Sequence, residues 1–302
     1  GTRPAEFFAR EEQFAVSGRT VSLAGRSSSV PPEVLGPQAT LGGVDNQKYL
    51  ELYDKICSRS FTAHVVQSLD AVCDVLAKPM FINVDHIVRG GSAGTGVAIS
   101  GAVDAEVVLF LRGVPAVRHD LWLAPLLRAL AGVLGESAGA GKAVETVRAT
   151  EDSVQVRAQN VTVDVRLSSI FPTFDDALTV LGHQEPEARR HVFPSLAKER
   201  AEFITKQPAA VKVTICLFKW WRDQQQWSGR LMRPSDEVLE FVVIYSAVQS
   251  KPTDQSTAVA NVMSLLTVFS SLRIVWSNFY RKDDIWAPLL HHRPLLMDPT
   301  NP

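Results

Sequence analysis

The alternation of apolar and polar positions divides this chain into two halves of different character. From Gln47 to about Lys78, apolar residues recur at helical spacing: Leu50, Leu52, Tyr53 and Ile56, then Val65, Val66, Leu69 and Val72. This predicts a long N-terminal helix. "INVDHIV" then alternates as a strand does and runs into Gly90–Gly91. A second strand is expected over 103–111, and an amphipathic or buried helix in "HDLWLAPLLRALAGVL". "SVQVRAQ" and "VTVDVRL" have clean period-two alternation and predict two further strands.

After Glu185 long helices take over. "SLAKERAEFITKQPAAVKVTICLFKWWRDQQQW" contains at least one, with Pro208 near a boundary or at the first helical position. "SDEVLEFVVIYSAVQ" is another. Ser235 is its expected N-cap, and Asp236 and Glu237 suit the positive end of the helix dipole. "STAVANVMSLLTVFSSLRIVW" predicts a third, and "HHRPLLMDPTNP" a Pro-bounded extended tail. No internal repeat is visible.

The Ser, Gly and Pro-rich stretch over 17–46 reads as a loop or loosely attached arm. The expected organisation is a flexible arm (1–46), an α/β lobe led by the long helix (47–185) and a helical lobe (186–302). The fold class is α+β. The chain has 302 residues, 46% hydrophobic and 21% charged, enough for a large core in two lobes. A formal net charge of -1 excludes global attraction to nucleic acid, so any basic surface must be local. No apolar run reaches the roughly 20 residues that span a bilayer, so no membrane partner is expected. The charged start "GTRPAEFFAREEQF" does not read as a secretory signal. Cys57, Cys73 and Cys216 lack metal-binding spacing and suit a reducing compartment, cytoplasmic or nuclear.

The candidate chemistry lies in "GGSAGTGVAISGAVDAEVVLF". At i and i+2 of a strand, Asp104 and Glu106 share one face, while Ala105, Val107 and Leu109 take the core face. In "VTVDVRL", Thr162, Asp164 and Arg166 share the face opposite the valines. If the two strands are neighbours, Asp164 joins the pair. Three carboxylates that close repel unless a cation neutralises them, and hard oxygen ligands suit Mg²⁺ or Mn²⁺. Any one acid alone is better read as a solvated strand residue. The turn just before the pair, Arg89–Gly96, favours the joint reading. Glycine lets backbone N–H groups approach phosphate, and Ser92 adds a hydroxyl donor.

A Gly-Gly-Ser turn, then Asp-x-Glu in an apolar strand, then a lone acid on a later strand resembles the polymerase-β-type nucleotidyltransferases. The closer resemblance is to the 2′-5′-oligoadenylate synthetase family, related to the cyclic GMP-AMP synthase-like enzymes. That family's turn reads close to Gly-Gly-Ser-Ser-Gly-Lys-Gly-Thr, and its acid strand Ser-Asp-Ala-Asp-Leu-Val-Val-Phe-Leu. This chain has "GGSAGTGV" and "VDAEVVLFL". "VDVRLSSIFPTFDDAL", "FITKQPAAVKVTICLFKWWR", "VLEFVVIYSA", "IVWSNFY" and "RPLLMDPTNP" resemble its later segments in order, over about residues 47–302.

The resemblance implies a bilobal nucleotidyltransferase fold, with a mixed-sheet N-lobe and a helical C-lobe. It implies that Asp104, Glu106 and Asp164 hold Mg²⁺ or Mn²⁺. Gly91 and Ser92 would contact a triphosphate, and Lys219 a phosphate. ATP or another nucleoside triphosphate is the implied substrate, double-stranded RNA the implied regulator, and innate immune RNA sensing the implied setting. Arg200 and Lys206 stand beside the RNA-facing positions, which align with Ala201 and Thr205.

This chain also departs from the family. Its second acid is Glu106 rather than Asp. Thr95 replaces the turn's lysine, and Cys216 the spine-helix arginine. Asp236–Glu237 stands where a Gln-Tyr pair begins a helix, and glutamate cannot stack on a base. The family chain also continues past this chain's end. Two function classes therefore stay open. One is a template-independent nucleotidyltransferase that releases pyrophosphate. The other is an inactive module used for binding, scaffolding or dimerisation with a protein partner or homologous subunit.

Three further features read as structural. "GESAGAGKA" (Gly135–Ala143) lacks the P-loop's glycine at 136, has Ala143 where Ser or Thr would bind magnesium, and follows a helix rather than a strand, so it reads as a flexible loop. His291–His292 reads as surface. Trp220, Trp221 and Trp227, beside Lys219 and Arg222, could stack on bases, but their helical spacing favours packing.

Overall fold

The computed structural model describes residues 45–78, 81–138, 144–229, 232–276, 279 and 288–301. The arm over 1–44 and the loop over 139–143 lie outside the described residues.

Where one long helix is expected at the start, there are two, α1 (Asn46–Ile56) and α2 (Arg59–Leu76). Asp45 caps α1 by accepting from the Lys48 N–H. Cys57 leaves helical geometry, and Ser58 starts α2 by accepting from the Phe61 N–H at 3.3 Å. A serine whose hydroxyl satisfies an orphan amide is a helix start as much as an interruption. The break sends the two helices to different lobes. Tyr49 and Ile56 of α1 join the helical core, while Val65, Leu69, Val72 and Leu76 of α2 pack on the sheet.

The sheet contains β1 (Val84–Gly90), β2 (Glu106–Leu111), β3 (Val144–Ala149), β4 (Val154–Ala158) and β5 (Val161–Ser169). Their order is β1-β2-β5-β4-β3. Only the β2–β5 pair is parallel. Between β1 and β2 comes the short helix α3 (Gly91–Thr95), and α4 (His119–Ala138) follows β2. Val107, Leu109 and Leu111, with Val154, Val156, Val163 and Val165, face α2 and α4. Each such side chain, fully buried, is worth about 1.5–3 kcal/mol of transfer free energy. By parity, Val108 and Phe110 face the other way, onto Ala197. Glu106 shares that side, which is the side of the helical lobe.

Next come α5 (Phe174–His183), α6 (Pro186–Arg189), α7 (Ala197–Thr205), α8 (Ala209–Gln224), α9 (Asp236–Ser250) and α10 (Gln255–Thr267). Thr173 and Asp176 form a capping box that starts α5. Pro208 is the N-cap of α8, one place before its first helical residue. Ser235 caps α9 as expected, accepting from the Val238 N–H. The third expected helix ends at Thr267. A 3₁₀ turn and the short strand β6 (Arg273–Ile274) replace its last part. The tail contributes β7 (Leu295–Leu296), parallel to β6. Trp276 donates to the Met297 carbonyl at 2.8 Å and packs edge-on against Phe203, Phe241 and Tyr245.

Trp220 and Trp221 pack against the helical core, and Trp221 meets Phe218 and Trp227 edge-on. His291 and His292 are exposed. The three cysteines are free thiols. Among the described residues no helix is long and apolar enough to cross a membrane.

Candidate functional site

A cleft of about 240 Å³ opens between the polar face of the sheet and helices α7 and α9. Gly90, Gly91, Ser92, Asp104, Glu106, Asp164 and Arg166 line it from the α/β lobe. Arg200, Phe203, Asp236, Glu237, Glu240 and Asp298 line it from the helical lobe. Six of the predicted site residues, Gly91, Ser92, Asp104, Glu106, Asp164 and Arg200, thus meet in one place.

The glycine turn positions the first acid. Strand β2 begins at Glu106, not at 103, so Asp104 belongs to an irregular segment ahead of it. What fixes that segment is Ser92. Its buried hydroxyl accepts the Asp104 N–H at 3.0 Å and donates to the Asp104 carbonyl at 3.1 Å. The Ala93 N–H donates to the same carbonyl at 2.9 Å. The Ser92 proton is therefore spent on backbone, where the resemblance implies a triphosphate contact. Gly91 sits at φ +65, and a Cβ there would lie 2.6 Å from the Asp104 oxygen. A Cβ on Gly90 would lie 2.7 Å from Glu106 Oε2. Gly91 is required because its φ is positive and the Asp104 backbone approaches it so closely, whereas at Gly90 the end of the Glu106 side chain could move aside.

Glu106 and Asp164 are register partners across the parallel β2–β5 pair. The neighbouring strands assumed from the sequence are therefore real. The cation paired with Glu106 is a side chain. Arg166, on the same face of β5 as Asp164, places its Nε 3.0 Å from Glu106 Oε1. Asp164 accepts from Ser153 Oγ at 3.3 Å. Burial, and then the nearby Asp236, push the Asp104 carboxyl above its ordinary range, although its side chain still opens to the cleft. Burial also pushes Glu106 up, against the pull of Arg166.

Carboxylate oxygens suit Mg²⁺ or Mn²⁺ by type. Yet among the described residues no three Asp, Glu, His or Cys side chains converge closely enough to hold an ion. Glu106 already has a cation. In this arrangement the residues do not fit a metal.

Lys219 lies behind the cleft wall instead of lining it. It is 1% exposed. Its Nζ bonds Glu240 Oε1 at 2.6 Å, Asp236 Oδ2 at 3.0 Å and the Val97 carbonyl at 3.3 Å. Burial alone would lower its pKa, but Glu240 and Asp236 outweigh burial and raise it. Arg222 grips Asp236 from the other side. Burial would likewise raise the Asp236 carboxyl, but Lys219 and Arg222 hold it below its ordinary range. The lysine that the resemblance gives to phosphate is thus committed to two carboxylates. Arg200 pairs with Glu237, and Lys206 with Glu202 at 2.6 Å. Both basic positions beside the implied RNA face are engaged within the chain.

The charge balance of the cleft follows from these partners. Among the described residues that line it, Asp104, Glu106, Asp164, Asp236, Glu237 and Glu240 face Arg166 and Arg200. Lys219 and Arg222 offset part of the excess from behind. Arg166 was already placed on the Asp164 face by period-two alternation, and that was the available signal for its role. Glu240 gave none, because its pairing with Lys219 joins two different helices.

Comparison with known proteins agrees with this architecture. Residues 178–302 match the family described as 2'-5'-oligoadenylate synthetase 1, domain 2, C-terminus. The chain is 24% identical over 302 residues to 2'-5'-oligoadenylate synthase 1A of Rattus norvegicus, covering 84% of this chain and 82% of that protein. It is 23% identical over 337 residues to 2'-5'-oligoadenylate synthase 3 of Mus musculus, covering 97% of this chain but only 29% of that protein. Among solved structures, E. coli MS115-1 CdnC with ATP shares the fold, with TM-score 0.54 and 17% identity, covering 86% of this chain and 83% of that one. The ordered sequence matches make this chain similar to the 2'-5'-oligoadenylate synthases, and its bilobal α+β architecture is a nucleotidyltransferase fold.

Proposed function

We propose that this chain uses the nucleotidyltransferase fold as a binding module for a protein partner and does not itself join nucleotides. One observation carries the reading: the cleft is acidic, and its phosphate-type lysine is locked behind Asp236 and Glu240. A nucleoside triphosphate brings further negative charge. Two unit charges 4 Å apart interact by about 4 kcal/mol at an effective dielectric of about 20, so each uncompensated pair in the cleft opposes binding strongly. The internal pairing of Arg200 and Lys206 supports the same conclusion for double-stranded RNA, whose affinity depends on free cations meeting phosphates.

A second reading is favoured by one observation. Asp104, Glu106 and Asp164 all line one cleft beside the glycine turn. On that reading the chain is a nucleotidyltransferase for ATP or another nucleoside triphosphate, and the three acids take Mg²⁺ or Mn²⁺ once Arg166 has moved aside.

Incubation with labelled nucleoside triphosphates and Mg²⁺ or Mn²⁺, with and without double-stranded RNA, separates the two. The binding-module reading expects no pyrophosphate release and no thermal shift with ATP. Release that Asp164→Ala abolishes would overturn it.

A further inference from the structure

We propose that Arg166 is the built-in cation of this cleft, a guanidinium standing where the acid pair would otherwise recruit a divalent ion. The inference deepens the binding-module reading and rests on it.

The placement follows from strand geometry. Side chains on β5 alternate, so Arg166 shares the face of Asp164. The parallel register sets Glu106 beside Asp164, and Arg166 beside Val108, two places further along. From there the side chain reaches back toward Glu106 and brings Nε 3.0 Å from its Oε1, an ion pair in which the Nε–H makes no hydrogen bond. Both side chains are sheltered, at 34% and 25% exposure. Arg166 also lies close enough to act electrostatically on Asp104. Its one charge therefore acts on Glu106 directly and on Asp104 at longer range.

An arginine differs from a metal in two respects. It cannot lose its charge by deprotonation at any ordinary pH, so the cleft keeps this cation permanently. It also offers directional N–H donors and no open coordination position, so it can neutralise a carboxylate but cannot activate a hydroxyl as a metal does. A divalent ion entering beside Glu106 would meet a fixed like charge. Removing the guanidinium takes away the ion-pair partner of Glu106 and leaves Arg200 as the nearby cation, with Asp164 in register beside Glu106. That is a better-formed site for a hard cation than the native chain provides.

The test is Mn²⁺ alone, titrated into the whole chain and followed by electron paramagnetic resonance of the free ion. The wild type is expected to leave the free signal undiminished up to about 1 mM. Arg166→Leu is expected to gain one site at least about tenfold tighter than anything in the wild type, and adding Asp164→Asn should remove it. Circular dichroism confirms that each variant is folded, and Arg166→Gln serves as the alternative if the leucine variant is not. A stoichiometric Mn²⁺ site in the wild type, lost in Glu106→Gln or Asp164→Asn, would overturn the proposal whatever the variants do. So would a folded Arg166 variant with no gain. Pyrophosphate release by the wild type would sink the functional reading. A wild-type Mn²⁺ site without release would sink this inference alone.

Discussion

Ser92 and Asp104 hold one another through a single hydroxyl, which accepts the Asp104 N–H at 3.0 Å and donates to its carbonyl at 3.1 Å. The two bonds join the turn after β1 to the segment before β2. Ser92 is 3% exposed, so water cannot replace what a truncation removes. Ser92→Ala should cost about 1–3 kcal/mol, the range for leaving buried backbone groups unsatisfied. Urea unfolding measures it, and a loss below about 0.5 kcal/mol would contradict the role given to this hydroxyl.

Two glycines with positive φ make a controlled comparison. Gly91 has φ +65 and a neighbour, Asp104 O, 2.6 Å from any added Cβ. Gly96 has φ +77 and nothing within 4 Å. Gly96→Ala should carry only the backbone cost, on the order of 1 kcal/mol. Gly91→Ala should cost clearly more, because Asp104 must also move. Equal melting temperatures for the two variants would show that the close approach is not needed.

Lys219 holds two buried or half-buried carboxylates. Lys219→Met should destabilise the chain by about 3–5 kcal/mol, as expected when one partner of a buried ion pair is removed. Adding Glu240→Leu should recover part of that loss, since it removes the stranded charge. Chemical denaturation of both variants decides the matter. A single-variant cost under about 1 kcal/mol would mean that the network contributes little.

The same network sets a pH dependence. Lys219 and Arg222 hold the Asp236 carboxyl below 3.8. Its contribution to stability is present above 3.8 and is lost as pH falls through its lower folded value. Asp236→Asn should therefore be less stable than wild type at about pH 7, and the deficit should close only below 3.8. Thermal melts across this range would reveal it. A deficit independent of pH would assign the cost to packing rather than charge.

Much of this structure was legible in local patterns. Alternation in "VTVDVRL" set the core and cleft faces of β5, and Ser235 with its acidic first turn marked the start of α9. The break at Ser58 was less visible, because apolar spacing continues through it and only the cap chemistry marks a boundary. Asp104, Glu106 and Asp164 line one cleft; parity with the β2–β5 pairing accounts for Glu106 and Asp164, while Asp104 precedes the strand and is set by its bonds to Ser92. Arg166 was on the right face, but its attachment to Glu106 depends on register between strands more than fifty residues apart. The sequestration of Lys219 was not legible. Nothing local to "LFKWW" says that Asp236 and Glu240, a helix away, will close over its ammonium.

The most direct measurement is a crystal of this chain soaked with Mn²⁺ and a non-hydrolysable ATP analogue, examined by anomalous scattering. The account predicts no manganese peak in the cleft, with the Arg166 guanidinium still against Glu106. A peak bridging Asp104, Glu106 and Asp164, with Arg166 displaced and triphosphate density on the glycine turn, would contradict it.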